Sequence, residues 1–176
     1  MLIPKSNRKK ALFIVDVQDS FIIDRNKYVI PNILNLINNG NYDLIVYSVQ
    51  YNDKNSLWYK QIGWCEDVKE TDTILEVKEN LKNKAFLKIN KLTRSIWKGD
   101  LNLDKILKEN NILEVHLCGY ESNDCVFASA LESFDLGYYT FVIEEASETR
   151  TTATNHSKAI DILRYLNLTN NSNYIK

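Results

Sequence analysis

Three chemically capable side chains, Asp16, Lys91 and Cys125, lie where predicted β-strands stop. Asp16 and Lys91 each close a strand-like run, and Cys125 lies just beyond another, near the start of a predicted helix. In open α/β sheets, ligands bind outside the carboxyl ends of the strands. The sequence therefore predicts one crevice holding a nucleophile, a carboxylate base and a cation that steadies both charges.

Cys125 lies in the first helical turn if Asn123 is the N-cap, where unpaired N–H groups and the helix dipole favour negative charge. A free thiol titrates near ~8.5, and a helix start or a nearby cation lowers this pKa. The helix dipole stabilises the Cys125 thiolate by only ~0.3–2 kcal/mol. Lys91 is therefore the expected source of the further stabilisation that a lowered thiol pKa requires. The same amides could hold a developing oxyanion. Taken alone, Cys125 could equally be a small apolar filler.

The other candidates have ordinary alternatives. Asp16 could be a cap or a loop hydrogen-bonder, and Lys88, on the same predicted strand, competes with Lys91. We expect Cys118 to be a core filler and Cys65 to be a structural or incidental thiol. His116 is expected in the core or a groove, and His156 is expected to pack or to form a surface hydrogen bond.

Composition excludes several classes of protein. The 176 residues carry a net charge of −1, with 44% hydrophobic and 26% charged residues, so no strong field recruits nucleic acid or membrane. No signal-peptide pattern or membrane-length apolar window is visible. Three widely spaced cysteines and no CxxC pair predict a cytoplasmic protein with free thiols and no structural zinc site.

Strand and helix patterns alternate along the chain. Predicted strands occupy 11–15, 42–51, 84–91, 112–120 and 138–146, with a short sixth at 173–175. Predicted helices occupy 30–40, 100–111 (capped by Asp100), 123–137 and 151–167, and 52–70 is an irregular loop with a turn of helix. Such alternation favours an α/β fold, a three-layer α/β/α sandwich in one domain spanning 1–176. We expect a doubly wound, mostly parallel sheet of order 3-2-1-4-5-6.

Three segments resemble those of the isochorismatase-like cysteine hydrolases, a superfamily that includes nicotinamidases and N-carbamoylsarcosine amidohydrolase. The segment ALFIVDVQDSF resembles the opening strand that ends at a catalytic aspartate, here Asp16. The segment KLTRSIWKG resembles the lysine segment and favours Lys91 over Lys88. The segment GYESNDCVFASALESFDLGY resembles the nucleophile segment, with Ser122 where threonine is usual. The resemblance runs over about residues 11–166.

The resemblance implies a cis peptide bond between Tyr120 and Glu121, which would aim the Glu121 and Cys125 amides into one oxyanion hole. It also implies attack of the Cys125 thiolate on an amide or ureido carbon, followed by hydrolysis of a thioester. Nicotinamidases carry an Asp-x-His metal motif after the second strand, but this chain reads VQYNDKNSLWYKQIGW there, without histidine. We therefore expect no metal and no cofactor, as in a metal-free subgroup with an Asn52, Ser56 and Gly63–Trp64 pattern.

The substrate pocket is the least defined part of the prediction. Its tentative residues are the aromatic and polar side chains Trp97, Tyr120, Tyr51 and Asn52, which could hold a flat small molecule. The resemblance implies a homo-oligomer, with the aromatic loop 51–64 as a contact surface. Three other functions stay open: an inactive relative that binds a ligand or partner, an isochorismatase-type vinyl ether hydrolase, and a redox-reactive thiol protein.

Overall fold

The structure, a computed structural model, describes residues 7–63 and 72–171. Its five strands are β1 (Lys9–Val15), β2 (Leu44–Gln50), β3 (Phe86–Lys91), β4 (Ile112–Gly119) and β5 (Tyr139–Ser147). Its α-helices are α1 (Ile30–Asn39), α2 (Leu57–Ile62), α3 (Leu75–Leu81), α4 (Leu103–Glu109), α5 (Cys125–Asp135) and α6 (Ala153–Tyr165). None of the helices in these two ranges is long and apolar enough to cross a bilayer.

All neighbouring strands of the sheet pair in parallel, in the order β3-β2-β1-β4-β5. The predicted α/β class and the order of these five strands are therefore confirmed. The expected sixth strand, at 173–175, lies outside the described residues. The order reverses between β2–β1 and β1–β4, which is where a doubly wound sheet opens a crevice at its carboxyl edge.

The central strand β1 is buried on both faces, as its continuous apolar run predicts. Ala11, Phe13 and Val15 face one core, and Leu12 and Ile14 face the other. The first core is closed by apolar residues of α4, α5 and α6, and the second by those of α1 and α3. The sheet is thus the middle of three layers, and its edge is where polar side chains can gather.

Several local expectations are corrected by the structure. Helix α3 lies where no helix was predicted, and it buries only Val77 and Leu81. Helix α4 is capped by Asn102, whose side chain accepts from the Lys105 N–H, because the predicted cap, Asp100, instead accepts from Asn90. The turn of helix expected in the loop 52–70 is present as α2.

Gly119 ends β4 against the middle strand. Its φ of +108° lies in the region that favours glycine, and a Cβ built on it would lie 2.2 Å from the Val15 carbonyl oxygen. The Tyr120 N–H donates to that same oxygen at 2.8 Å. The close approach fixes where the chain turns from β4 towards Cys125.

Replacing Gly119 with alanine is expected to destabilise the fold by more than ~1 kcal/mol, because it adds a backbone clash to the positive-φ penalty. Gly137→Ala is the matched control: Gly137 also has a positive φ, of +92°, but no atom of the described residues lies within 4 Å of the position its Cβ would take. Urea unfolding of both variants measures the difference. Equal losses of stability would contradict the close approach.

Candidate active site

Strand register brings the three predicted residues to one edge of the sheet. Val15 of β1 pairs with Gly119 of β4, so Asp16 emerges beside the turn that leads to Cys125. Gln50 of β2 pairs with Lys91 of β3, and β3 lies two strands away from β1. Asp16, Lys91 and Cys125 therefore meet across the central strands.

Asp16 is fully buried and held from both its backbone and its side chain by one serine. The Asp16 N–H donates to Ser48 Oγ at 3.1 Å, and Ser48 Oγ donates to Asp16 Oδ1 at 2.6 Å. Asp16 has a φ of +49°, a conformation that aspartate tolerates better than most residues. This arrangement leaves Oδ2 facing the Lys91 ammonium.

Lys91 places a buried ammonium between the carboxylate and the thiol. Its Nζ lies 2.7 Å from Asp16 Oδ2 and 3.4 Å from Cys125 Sγ. It also donates to Gln50 Oε1 at 2.6 Å and to the Thr93 carbonyl at 3.0 Å. Burial alone would lower the pKa of Lys91, but Asp16 and Cys125 outweigh it and raise the pKa. The ammonium therefore stays charged.

Cys125 is the first residue of α5, and its side chain is buried. Burial raises the pKa of the Cys125 thiol, and so does the negative charge of Asp16; the Lys91 ammonium opposes this shift. The resting sulfur therefore keeps its proton.

This protonation state differs from the sequence-based expectation. The helix start and Lys91 predicted a lowered pKa for Cys125, yet the first turn of α5 is buried and the cation already faces a carboxylate. The N-cap also differs: it is Asp124, without a side-chain cap hydrogen bond, rather than Asn123.

The turn between β4 and α5 contains a cis peptide bond joining Tyr120 and Glu121, at the position that the family resemblance implies. Glu148, just beyond β5, supports this turn. Its carbonyl accepts from the Ser122 N–H at 2.9 Å, and its own N–H donates to the Gly119 carbonyl at 3.1 Å.

The Glu148 side chain extends that support to distant parts of the chain. Its carboxylate pairs with Arg25 at 3.2 Å and lies 3.3 Å from His156 Nδ1, the nitrogen that also lies 2.9 Å from Ser122 Oγ. His156 is thus a packing and hydrogen-bonding residue behind the turn that precedes Cys125.

Cys125 opens onto a cavity of about 210 Å³. Its apolar wall is formed by Phe21, Trp58 and Ile62, and its remaining lining by Gln50, Glu121, Asn123, Asp124, Cys125, Arg150 and Thr151. A volume of this order suits a small molecule rather than a polymer.

None of the four expected pocket residues lines the cavity at Cys125. Trp97 packs in the core between Phe13 and Tyr138, and its indole N–H donates to α5 at the Ser129 carbonyl and at Ser133 Oγ. Tyr120 is fully buried, and its hydroxyl donates to the Asn26 carbonyl at 3.0 Å. Both aromatic side chains are oriented by polar atoms inside the protein, so neither lines the cavity at Cys125.

Tyr51 and Asn52 line a different cavity, of about 380 Å³, which Lys91 also lines. Lys88 is not the catalytic candidate, because its Nζ pairs with Asp72 at 3.3 Å. Cys118 is a buried thiol against the Phe13 carbonyl. Cys65 and Trp64 lie outside the described residues.

The residues at the end of β2 and just after it do not fit a metal of the Asp-x-His type. Gln50 Oε1 is occupied by the Lys91 ammonium, and Asn52 Oδ1 accepts from Ser56 Oγ at 2.6 Å. Across 7–63 and 72–171, no three His, Cys, Asp or Glu side chains group in a way that could hold an ion. The expectation of a metal-free site stays a prediction.

Sequence reasoning missed the polar residues that hold the three central ones. Ser48 and Gln50 interrupt the apolar strand LIVYSVQ at alternate positions, and both are buried. That pattern was the available signal, since a polar residue inside a buried strand requires a partner. The ion pair of Arg94 with Asp124, at 2.7 Å, left no such signal.

At the carboxyl edge of the parallel sheet, a buried lysine, carboxylate and thiol lie beside a small cavity, and the family model that matches the chain makes it an enzyme of the hydrolase class. Residues 10–171 match the family model for the isochorismatase domain, so the chain belongs to the isochorismatase family. A search among curated proteins finds no match to this chain.

Solved structures share the fold. N-carbamoylsarcosine amidase from Thermoplasma acidophilum has a TM-score of 0.76 at 20% identity, covering 96% of this chain and 99% of that one. Nicotinamidase from Staphylococcus aureus has a TM-score of 0.71 at 23% identity, covering 92% and 98%. Pyrazinamidase of Pyrococcus horikoshii, solved in complex with zinc, has a TM-score of 0.73 at 21% identity, covering 89% and 95%. At these identities the likeness concerns the fold.

Removing the buried cation alone is expected to be costly. Lys91→Met leaves Asp16 charged and unpaired in the interior and should lower the free energy of unfolding by ~3–5 kcal/mol. The double variant with Asp16→Asn removes both charges and should recover most of that loss. Urea unfolding of the two single variants and the double variant gives the coupling. Additive losses would show that the two charges do not interact.

The pH dependence of Cys125 alkylation should reveal the opposite effects of Asp16 and Lys91 on the pKa of the thiol. In the wild type, alkylation should begin above the ordinary thiol range near ~8.5, because the pKa is raised. Asp16→Asn removes a negative charge that raises the pKa of the thiol, so the alkylation midpoint should move to lower pH. Lys91→Met removes the cation and should move it higher. A midpoint that ignores both changes would indicate an ordinary thiol.

Proposed function

We propose that the protein is a metal-independent cysteine hydrolase that cleaves a C–N bond in a small amide, ureido or related molecule. The observation that supports this most is the position of Lys91 Nζ, 2.7 Å from Asp16 Oδ2 and 3.4 Å from Cys125 Sγ, beside a cavity. The amidase activities named for the structural neighbours are consistent with this chemistry.

In the first half-reaction, Asp16 takes the thiol proton as the sulfur attacks the substrate carbonyl carbon. The S–C bond forms, and the carbonyl electron pair moves onto oxygen. The amides of Glu121 and Cys125 are the proposed oxyanion hole. The Cys125 N–H, at the start of α5, has no acceptor within the helix, and Glu121 lies in the turn just before it. Lys91 stays charged throughout and limits the negative charge of the site.

Collapse of this adduct breaks the C–N bond. Asp16 returns its proton to the nitrogen, so ammonia or an amine leaves and a thioester remains on Cys125. Water then attacks the thioester carbon while Asp16 accepts a proton from it. The C–S bond breaks, the acid product departs, and the sulfur regains its proton from Asp16.

Ammonia release from a panel of small primary amides and ureido compounds tests the proposal. Turnover is expected for the wild type and for Cys118→Ala, which removes a buried thiol away from the cavity. Cys125→Ala should abolish turnover, and Asp16→Asn should lower kcat by ~10²–10⁴-fold, the usual contribution of a general acid–base. Dialysis against a chelator should change nothing.

Hydroxylamine should trap the thioester as a hydroxamate and shorten the lifetime of an acyl adduct on Cys125, detected by mass spectrometry. Turnover that survives Cys125→Ala would refute the nucleophile. Activity lost to the chelator and restored by a divalent metal would refute metal independence. No ammonia from any amide, with a Cys125 thiol that ignores Asp16, would favour an inactive binding relative.

A further inference from the structure

Glu121, the residue whose amide is assigned to the oxyanion hole, has a side chain that is held rather than solvated. Only 6% of the residue is exposed. Its Oε2 accepts from the Arg150 N–H at 2.8 Å and from Thr149 Oγ1. Two donors on one oxygen fix the orientation of the carboxylate at the edge of the cavity.

The other carboxylate oxygen, Oε1, is buried and receives no hydrogen bond from any described residue. Arg150 Nε lies 3.5 Å away, an ion-pair contact without hydrogen-bond geometry. A buried acceptor without a donor is unfavourable, so such an oxygen beside a cavity calls for a donor supplied by a ligand.

Asn123 repeats the pattern two residues on. Its Oδ1 is buried, lacks a hydrogen-bond partner within the described chain, and belongs to a residue that lines the same cavity. Glu121 and Asn123 both sit in the turn that carries Cys125. The wall next to the nucleophile is therefore short of N–H donors, which a carboxamide or ureido group would provide.

Formal charges around the cavity cancel in pairs. Lys91 pairs with Asp16, Arg94 with Asp124, and Arg150 with Glu121. A charged substrate would find no unpaired opposite charge among these three ion pairs, so burying it here would be unfavourable. An uncharged substrate avoids that penalty, and its remainder can lie against the apolar wall of Phe21, Trp58 and Ile62.

We propose that Glu121 is the specificity-determining residue of this site: its Oε1 accepts a hydrogen bond from the N–H of an uncharged carboxamide or ureido head group. The inference rests on the proposed function for its chemistry, but it concerns recognition. Esters lack the N–H donor, and anionic analogues carry a negative charge next to Glu121. The site should therefore discriminate against both.

Three alkylating probes of similar size test this without any turnover: iodoacetamide, methyl iodoacetate and iodoacetate. The rate at Cys125 is read by peptide mass spectrometry and divided by the rate with free cysteine. The wild type should prefer iodoacetamide over methyl iodoacetate by about tenfold, the effect of one hydrogen bond to a charged group. Iodoacetate should be the slowest of the three after normalisation.

Glu121→Gln should remove the preference. The glutamine oxygen takes the two donors that Oε2 holds, so an amide NH₂ group replaces the acceptor at Oε1 and the normalised ratio should fall to within about twofold of free cysteine. Glu132→Gln is the matched control, because Glu132 is on α5 and pairs with Lys98 outside the cavity. That variant should keep the wild-type ratio.

The wild-type ratio tests the proposal even if the Glu121 variant does not fold. A ratio equal to that of free cysteine, a faster normalised reaction with iodoacetate, or failure of all three probes to reach Cys125 would overturn it. An unchanged preference in Glu121→Gln would do the same. Because none of these readings requires ammonia release, an enzyme that turns over amides without this selectivity refutes the inference and leaves the hydrolase proposal standing.

Discussion

The interior ammonium of Lys91 is the constraint on which the rest of the site depends. A cation removed from water is tolerated only where oxygen or sulfur partners surround it. Here Asp16, Gln50, Thr93 and Cys125 supply those partners, and they come from the ends of three strands and the start of a helix. Satisfying one buried charge thus sets the positions of β1, β2, β3 and α5 at the edge of the sheet, and the Cys125 sulfur is positioned as part of the same cluster.

The layers of the fold were largely predictable because the apolar pattern of a strand indicates which of its faces are buried. The run from Ala11 to Val15 has no polar face, which only a strand covered on both sides can accommodate. Prediction failed where few residues decide the outcome. Helix α3 has two buried apolar side chains amid charged neighbours, and the cap of α4 depended on whether the Asp100 carboxylate was already engaged by Asn90.

The three central residues were predictable because strand ends converge in a parallel sheet, whereas the cavity wall was not. Aromatic side chains next to the site could face the cavity or the core, and hidden hydroxyls and carbonyls on α5 decided this for Trp97. The protonation state of Cys125 was also misjudged. A helix start favours a thiolate only where solvent or an unopposed cation is present, and here the sulfur is enclosed beside an engaged lysine.

Glu148 has a consequence for how the site is assembled during folding. Its backbone holds the turn before Cys125, while its carboxylate reaches Arg25 near the beginning of the chain and His156 in α6. Contacts so far apart in sequence form late, because their loops must close first. A nascent chain synthesised only as far as α5 has the sulfur but lacks the strand and helix that order its turn. The turn before Cys125 should therefore become ordered only once β5 and α6 have left the ribosome.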